Sequence, residues 1–175
     1  MIRLAAAAGA ALLVSACAML APPEAPLPSL AAVPRAFEMS GRIAIRHGQA
    51  SDIAQLRWTR HAGSDTWVIA SPLGNEVARI ESTPSGATLT RADGEVRHAA
   101  SFADLTREAL GVSLDPASLA EALHGQTPRD VPEGWRFEID ETQASGPVRL
   151  AKRITVRGGD TVVRLVVDGY QPLPD

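Results

Sequence analysis

The sequence predicts a mainly β protein of the α+β class, an incomplete antiparallel β-barrel (half-barrel) with a short helical lid over a hydrophobic cavity. Three observations lead to this prediction: six consecutive segments alternate hydrophobic and polar residues, two short amphipathic helices follow, and three further strand-like segments end the chain. Short turns connect neighbouring strands within each group, which makes their pairing antiparallel. A single sheet of about nine strands tends to curl, and helices too short to be stable alone must cover it.

The first six strands are separated by residues that favour turns. In the first strand, mostly hydrophobic residues from Phe37 to Ile45 alternate with mostly polar ones, and His47-Gly48-Gln49 forms the following turn. Ala92-Asp93-Gly94, between the fifth and sixth strands, is a hairpin pattern. The six predicted strands cover residues 37–46, 53–60, 66–70, 77–80, 87–90 and 95–99.

Capping residues mark both helices. Ser101 is the predicted N-cap of the first, with Asp104 three residues later in a pattern close to a capping box, and Gly111 ends that helix. Asp115 is the predicted N-cap of the second, Pro116 occupies its first helical position, and a glycine follows its end.

The last three strands form a second antiparallel group. They are predicted at residues 135–139, 148–157 and 161–168. Gly158-Gly159-Asp160 supplies the tight turn between the last two.

The N-terminus has the three parts of an export signal. Arg3 provides the positive charge, Leu4 to Val14 form an apolar run, and small residues lead to the single cysteine, Cys17. The apolar run is shorter than the roughly 20 residues that a helix needs to span a bilayer. Leu13-Val14-Ser15-Ala16-Cys17 resembles the lipobox of bacterial lipoproteins, so we expect a signal peptide at 1–16 and lipid on Cys17. The alternative is an ordinary secretory signal that contains a cysteine by chance.

Composition divides the remainder of the chain into a tether and one domain. Residues 17–35 are mostly alanine and proline, which predicts a semi-rigid extended tether, and residues 36–175 form the domain. With no second cysteine there is no disulfide, so the fold must depend on its hydrophobic core. Removing Arg3 from the 17 basic residues leaves 16 against 20 acidic ones, a formal charge of −4. With no basic run either, nucleic acid is a poor candidate for a partner.

No pattern typical of catalysis is present. The four histidines lie near turns or element ends, and none has a second histidine or a cysteine at metal-ligand spacing. The sequence contains neither a Gly-x-Ser-x-Gly elbow nor a phosphate-binding loop. We therefore predict no enzyme activity, no metal and no cofactor.

One turn carries an unexpected residue. In Ser71-Pro72-Leu73-Gly74, proline and glycine suit their turn positions, but the third position usually takes a small polar residue and here is Leu73. Either Leu73 folds back onto the core or it is exposed, as single leucines often are.

Several short motifs, in this order, resemble the LolB family. They are the lipobox, Ser40-Gly41-Arg42-Ile43, Leu56-Arg57-Trp58, Ser71-Pro72-Leu73-Gly74-Asn75, Pro84-Ser85-Gly86, Asp93-Gly94, Leu110-Gly111 before Leu114, and Val162 to Val167. The resemblance runs from about Phe37 to Tyr170. The chain departs from the family pattern in its short segment between Gly125 and Trp135 and in having Tyr170 where tryptophan is expected.

The resemblance implies an incomplete antiparallel barrel with a helical lid and a specific function. The family takes lipoproteins from a soluble periplasmic carrier, which is LolA-like, and inserts them into the outer membrane. This chain would then be a lipid-anchored, periplasm-facing monomer of the outer membrane whose partners are the carrier, lipoprotein acyl chains and outer-membrane lipid. Pro72, Leu73 and Gly74 map onto the family's protruding loop, so the resemblance favours an exposed Leu73 that acts in membrane insertion.

The cavity of such a protein would be lined by apolar residues from strands and helices. We predict as lining residues Ile43, Ile45, Leu56, Trp58, Trp67, Ile69, Leu105, Leu119 and Leu123. Two other functions stay open on the residues alone. A structural lipoprotein that scaffolds an envelope complex would have a filled core, whereas a carrier of another lipid, such as a glycolipid, would keep the cavity.

Overall fold

Nine strands and two helices make up the part of the chain that the structure, a computed structural model, describes, residues 32–174. The elements are β1 (Ala36–His47), β2 (Ala50–His61), β3 (Ser64–Ala70), β4 (Glu76–Thr83), β5 (Gly86–Arg91), β6 (Val96–Ala99), α1 (Phe102–Leu110), α2 (Pro116–Leu123), β7 (Trp135–Ser145), β8 (Val148–Gly158) and β9 (Thr161–Pro172). The predicted signal peptide and Cys17 lie outside the described residues. Neither of the two helices among these residues has the length and hydropathy of a membrane-spanning segment.

All nine strands form one antiparallel sheet in the order β6-β5-β4-β3-β2-β1-β9-β8-β7. Strands that follow one another in the chain pair with each other, except β6 and β7, and the pairing of β1 with β9 joins the two groups of strands. The sheet is open, with β6 and β7 at its edges. The predicted mainly β fold, an antiparallel sheet with two short helices, is therefore confirmed.

One face of the sheet, called the inner face below, carries most of the core. Cross-strand register aligns Met39 with Trp58, Trp58 with Trp67, and Trp67 with Ile80, so alternate residues of four strands point the same way. All four of these side chains are buried. The period of two in the sequence thus produces one continuous apolar surface.

Both helices lie against this inner face, and their caps are as predicted. Ser101 accepts a hydrogen bond from the backbone N–H of Asp104, and Asp115 accepts one from that of Ser118. Gly111 ends α1 in the left-handed conformation, with φ of 68°. The first helix packs on β4, β5 and β6 and the second on β8, so they cover different halves of the sheet.

Two strand features differ from the sequence prediction. The edge strand β7 continues from Ile139 to Ser145, where its residues are mostly polar and exposed and no alternation marks a strand. In the pairing of β1 with β9, the register shifts between Ser40 and Gly41, which leaves one extra residue on β9. At this bulge the backbones approach closely, because a Cβ on Gly41 would lie 2.1 Å from the carbonyl oxygen of Val166.

Candidate functional site: an apolar cavity beneath the first helix

A cavity of about 500 Å³ lies between α1 and the inner face of the sheet. Its wall is mostly apolar, and its polar side chains are those of Asp52, Ser71, Arg91 and Thr106, besides the indole N–H that Trp67 carries. The lining residues are Ile43, Ile45, Asp52, Ile53, Ala54, Trp67, Ile69, Ser71, Pro72, Val77, Ala78, Ile80, Leu89, Arg91, Thr106 and Ala109.

Small side chains at inner positions leave this volume open. Ala54 lies opposite Ile43 on the neighbouring strand, and Ala78 lies opposite Ile69. Ala109 lines the cavity from the helix side. Because alanine fills far less space than the leucine or isoleucine at neighbouring inner positions, the sheet and the helix border a space, partly open to solvent, that the chain does not fill itself.

The structure divides the predicted lining residues into two groups. Ile43, Ile45, Trp67 and Ile69 lie in the cavity wall. The other five are buried in the packed core between sheet and helices instead, and they are Leu56, Trp58, Leu105, Leu119 and Leu123. The two from α2 lie beneath that helix, which covers the half of the sheet away from the cavity.

Sequence reasoning missed several wall residues. Ile80 and Leu89 are inner residues of β4 and β5, and the alternation in those strands could have identified them. The prediction considered only large apolar residues, so it did not include three alanines whose small side chains leave the cavity open: Ala54, Ala78 and Ala109.

A short exposed loop borders the cavity between β3 and β4. Ser71 and Pro72 are part of the cavity wall, whereas the side chain of Leu73 is 90% exposed. The backbone N–H of Gly74 donates to the carbonyl of Ser71 at 2.8 Å, which closes the turn and directs Leu73 outward. The interpretation that Leu73 folds back onto the core is therefore wrong.

Further contacts hold this loop in place. The backbone N–H of Ser71 donates to the carbonyl of Asn75 at 2.8 Å. The side-chain amide of Gln55, on β2, donates to the carbonyl of Pro72 at 3.0 Å. Hydrogen bonds between its two ends and to β2 therefore hold the loop that exposes Leu73 to solvent.

Two more exposed apolar residues belong to the cavity wall. Ile53 is 63% exposed and Val77 is 41% exposed. Together with Leu73 they form what we call the apolar rim: Ile53, Leu73 and Val77. Exposed apolar residues grouped beside an apolar cavity are typical of a binding site for apolar ligands or for a membrane.

The second helix is fixed at its N-terminal end by a buried polar cluster. The indole N–H of Trp58 donates to the carboxylate of Asp65 at 2.7 Å, and the guanidinium of Arg60 lies 3.8 Å from the same oxygen. Arg60 also donates to the carbonyl of Pro116, the first residue of α2, at 3.1 Å. Burial raises the pKa of Asp65, although the charge of Arg60 opposes this.

A buried histidine fixes the other end of α2. The ring of His124 bonds through Nδ1 to the carbonyl of Ala120 at 2.7 Å and through Nε2 to the hydroxyl of Tyr170 at 2.9 Å. Since a carbonyl only accepts, Nδ1 carries the proton and Nε2 accepts from the tyrosine. Burial lowers the pKa of His124 and raises that of Tyr170 to about 12, so this bond joins two neutral groups at neutral pH. Tyr170 thus connects the end of α2 to β9.

Comparisons with known proteins place the chain among outer-membrane lipoproteins. A model of the family described as "Outer membrane lipoprotein LolB" matches residues 35–132. The outer-membrane lipoprotein LolB of Thiobacillus denitrificans is 34% identical over 189 residues, covering 98% of this chain and 99% of that protein. Its counterpart in Cupriavidus necator is 33% identical over 187 residues, with 94% of each chain covered.

A solved structure supports the fold. The crystal structure of a DUF1329 family protein from Desulfovibrio piger superimposes with a TM-score of 0.54, over 79% of this chain and 86% of that one, at 6% sequence identity.

Proposed function

This chain belongs to the LolB family of outer-membrane lipoproteins, and from that premise we propose that it receives lipoproteins from a LolA-like periplasmic carrier and inserts them into the outer membrane. In this proposal the acyl chains of the lipoprotein occupy the cavity beneath α1. The process is binding and release, and it needs no covalent step by the chain.

The observation that carries this proposal is the position of the exposed loop. Ser71 and Pro72 line the cavity, and the next residue, Leu73, is almost fully exposed. A ligand in the cavity therefore lies directly beside the side chain best placed to enter a bilayer. A structural scaffold would have no use for an open apolar volume next to an exposed leucine.

The energetics require a shielded transfer. Exposing an acyl chain of about 15 carbons to water costs on the order of 10 kcal/mol, at about 0.8 kcal/mol per methylene. A lipoprotein must therefore pass from the carrier's pocket to this cavity and on to the bilayer without entering water. The chain contains no phosphate-binding loop, so we propose that each step is downhill in free energy.

Membrane attachment belongs to the same proposal. Lipid on Cys17, followed by the alanine- and proline-rich segment to residue 35, would hold the cavity and Leu73 near the membrane that receives the lipoproteins. We propose that the chain acts as a monomer in this position, facing the periplasm. Cys17→Ala is expected to release a soluble domain that still binds acyl chains.

A cavity-filling variant tests the proposal. Ala78→Phe places a ring in the cavity, while Thr90→Phe places the same ring on the exposed outer face of β5. We expect the wild type and Thr90→Phe to bind a fluorescent fatty acid and to accept a lipoprotein from its carrier, and Ala78→Phe to lose both.

Two results would contradict the proposal. Failure of the wild-type chain to bind any acylated probe would favour the alternative of a structural lipoprotein that scaffolds an envelope complex. Tight binding of a glycolipid that a lipoprotein cannot displace would favour a carrier of a different lipid.

A further inference from the structure

Four exposed arginines lie side by side on the outer face of the sheet. We call them the arginine cluster: Arg46, Arg136, Arg157 and Arg164. Each alternates along its strand with residues of the inner face, which places it on the opposite side. Arg136 and Arg157 are cross-strand partners, so their Cβ atoms are about 5 Å apart. Arg157 and Arg46 both pair with Val162, which makes Arg164, two residues further along β9, a diagonal neighbour of each at about 7–8 Å.

The charge of the arginine cluster is only partly balanced. Arg157 lies 3.3 Å from the carboxylate of Glu138, and Asp160 lies in the adjoining turn between β8 and β9. Within residues 32–174, the other three arginines make no ion pair. Four arginines against two carboxylates leave an excess of positive charge here, although the whole chain has a formal net charge of −3. Like charges directly opposite each other destabilise a strand pair, so an anion bound between Arg136 and Arg157 would relieve their repulsion.

The arginine cluster and the exposed loop between β3 and β4 lie at the same end of the sheet. β1, β3 and β8 run in one direction, because β1 and β3 are each antiparallel to β2, and β1 and β8 are each antiparallel to β9. Arg46 and Arg157 are next to last in β1 and β8, and the loop follows β3. Ile53 of the apolar rim pairs with Ala44, which pairs with Arg164. The apolar rim and the arginine cluster therefore adjoin.

The chain enters the sheet at the opposite end, where Ala36 begins β1. β1 has 12 residues, so this entry point lies about 36 Å along the strand from the end that carries the loop. Attachment through the residues before Ala36 therefore does not by itself turn the loop and the cavity towards a membrane. An attraction at the loop end itself would do so.

We propose that the arginine cluster binds the phosphate groups of anionic phospholipids and so directs the apolar rim and the cavity towards the bilayer. This inference rests on the proposed function, to which it adds a lipid class and an orientation. A guanidinium group suits this role because it can donate two parallel hydrogen bonds to phosphate oxygens. Apolar side chains bordered by basic ones bind anionic bilayers well, since apolar burial and charge attraction act together.

The test measures binding to vesicles of phosphatidylcholine, alone or mixed in equal parts with phosphatidylglycerol. Residues 17–175 carry Cys17→Ser, so that no lipid on the chain contributes. Arg46→Gln/Arg164→Gln is compared with Arg97→Gln/Arg129→Gln, which removes the same charge from β6 and from the segment after α2. Each arginine near an anionic surface contributes roughly 5-fold to the affinity, so the first variant should bind the mixed vesicles about 25-fold more weakly than the wild type. The control variant should bind them as the wild type does, and all three should bind phosphatidylcholine equally.

Arginine footprinting tests the same contact in the lipid-anchored full chain. Phenylglyoxal modifies accessible guanidinium groups, and mass spectrometry gives the rate at each position. Arg46 and Arg164 should react more slowly in the mixed vesicles than in phosphatidylcholine. Arg129 is the internal control, because its side chain is 80% exposed and lies outside the cluster, so its rate should be the same in both.

The outcomes separate this inference from the proposed function. Equal binding of the wild type to both kinds of vesicle, or an anionic preference that Arg46→Gln/Arg164→Gln retains, would contradict the inference. Binding of a fluorescent fatty acid by the same samples would then leave the proposed function intact. Normal vesicle binding by this variant together with loss of lipoprotein transfer from the carrier would also overturn the inference and assign the cluster to the carrier. If the variant does not fold, equal footprinting rates at Arg46 and Arg164 in both vesicles still contradict it.

Discussion

Truncation of Leu73 should separate membrane insertion from folding and from ligand binding. The side chain is 90% exposed, so Leu73→Ala and Leu73→Glu remove almost no burial from the folded chain. Surface substitutions of this kind change the free energy of unfolding by about 0.5 kcal/mol or less. Thermal unfolding and acyl binding are therefore expected to match the wild type.

The magnitude of the delivery defect follows from the exposed area. Leu→Ala removes three carbon groups, each worth about 0.8 kcal/mol on transfer from water to hydrocarbon. Since 90% of the side chain is available to the bilayer, Leu73→Ala loses about 2 kcal/mol of membrane affinity. That corresponds to a delivery rate lower by about 30-fold if the loop inserts before the lipoprotein is released. Leu73→Glu adds the cost of a charge at the membrane and should slow delivery further.

The assay follows the appearance of a labelled lipoprotein in liposomes after the loaded chain is added. Val96→Glu is the matched control, because Val96 is also an exposed apolar residue, at 50%, but lies on the edge strand β6 away from the loop. Delivery by Leu73→Ala at the wild-type rate would contradict a role of Leu73 in insertion, as would an equal loss of delivery in Val96→Glu.

Three further predictions concern the structure around the cavity. Asp65→Ala leaves the indole N–H of Trp58 without an acceptor and should lower the free energy of unfolding by about 1–3 kcal/mol, measured by urea titration. Gly41→Ala brings a Cβ to 2.1 Å from the carbonyl oxygen of Val166, so we expect a loss of about 3 kcal/mol or more in the same assay; a wild-type midpoint would contradict the close approach. Burial lowers the pKa of His124, so the unfolded chain binds a proton at this histidine more readily than the folded chain does. The free energy of unfolding should therefore decrease as the pH is lowered below about 6.5, by at most about 1.4 kcal/mol per pH unit. In His124→Gln that part of the pH dependence should be absent from thermal unfolding curves.

Local patterns were sufficient to predict that nine strands and two capped helices are present, but not the polar second half of β7. The alternation in β1 and the caps at Ser101 and Asp115 depend on residues that are close together in the chain, so the sequence alone predicts them. The pairing of β1 with β9 could not be predicted in this way. It joins residues more than 100 positions apart, and the extra residue opposite Ser40 and Gly41 leaves no local pattern.

The cavity could be predicted in part, for a related reason. Alternation places Ile43 and Trp67 on the inner face, and both line the cavity. A periodic pattern does not show where packing is incomplete, because that depends on which small residues meet across three elements. Leu119 is apolar and faces inward as predicted, yet it fills the core beneath α2.

Photo-crosslinking from two adjacent residues can show whether acyl chains occupy the cavity beneath α1. Ile69 lines the cavity, whereas Val68 lies on the opposite face of the same strand. A small diazirine side chain is placed at one position or the other, and each variant is loaded with a lipoprotein whose acyl chains are isotopically labelled. After irradiation, the crosslinked fragment is identified by mass spectrometry. We expect an acyl-chain crosslink from position 69 and none from position 68. Equal crosslinking from both positions, or none from position 69 while the lipoprotein is bound, would contradict this expectation.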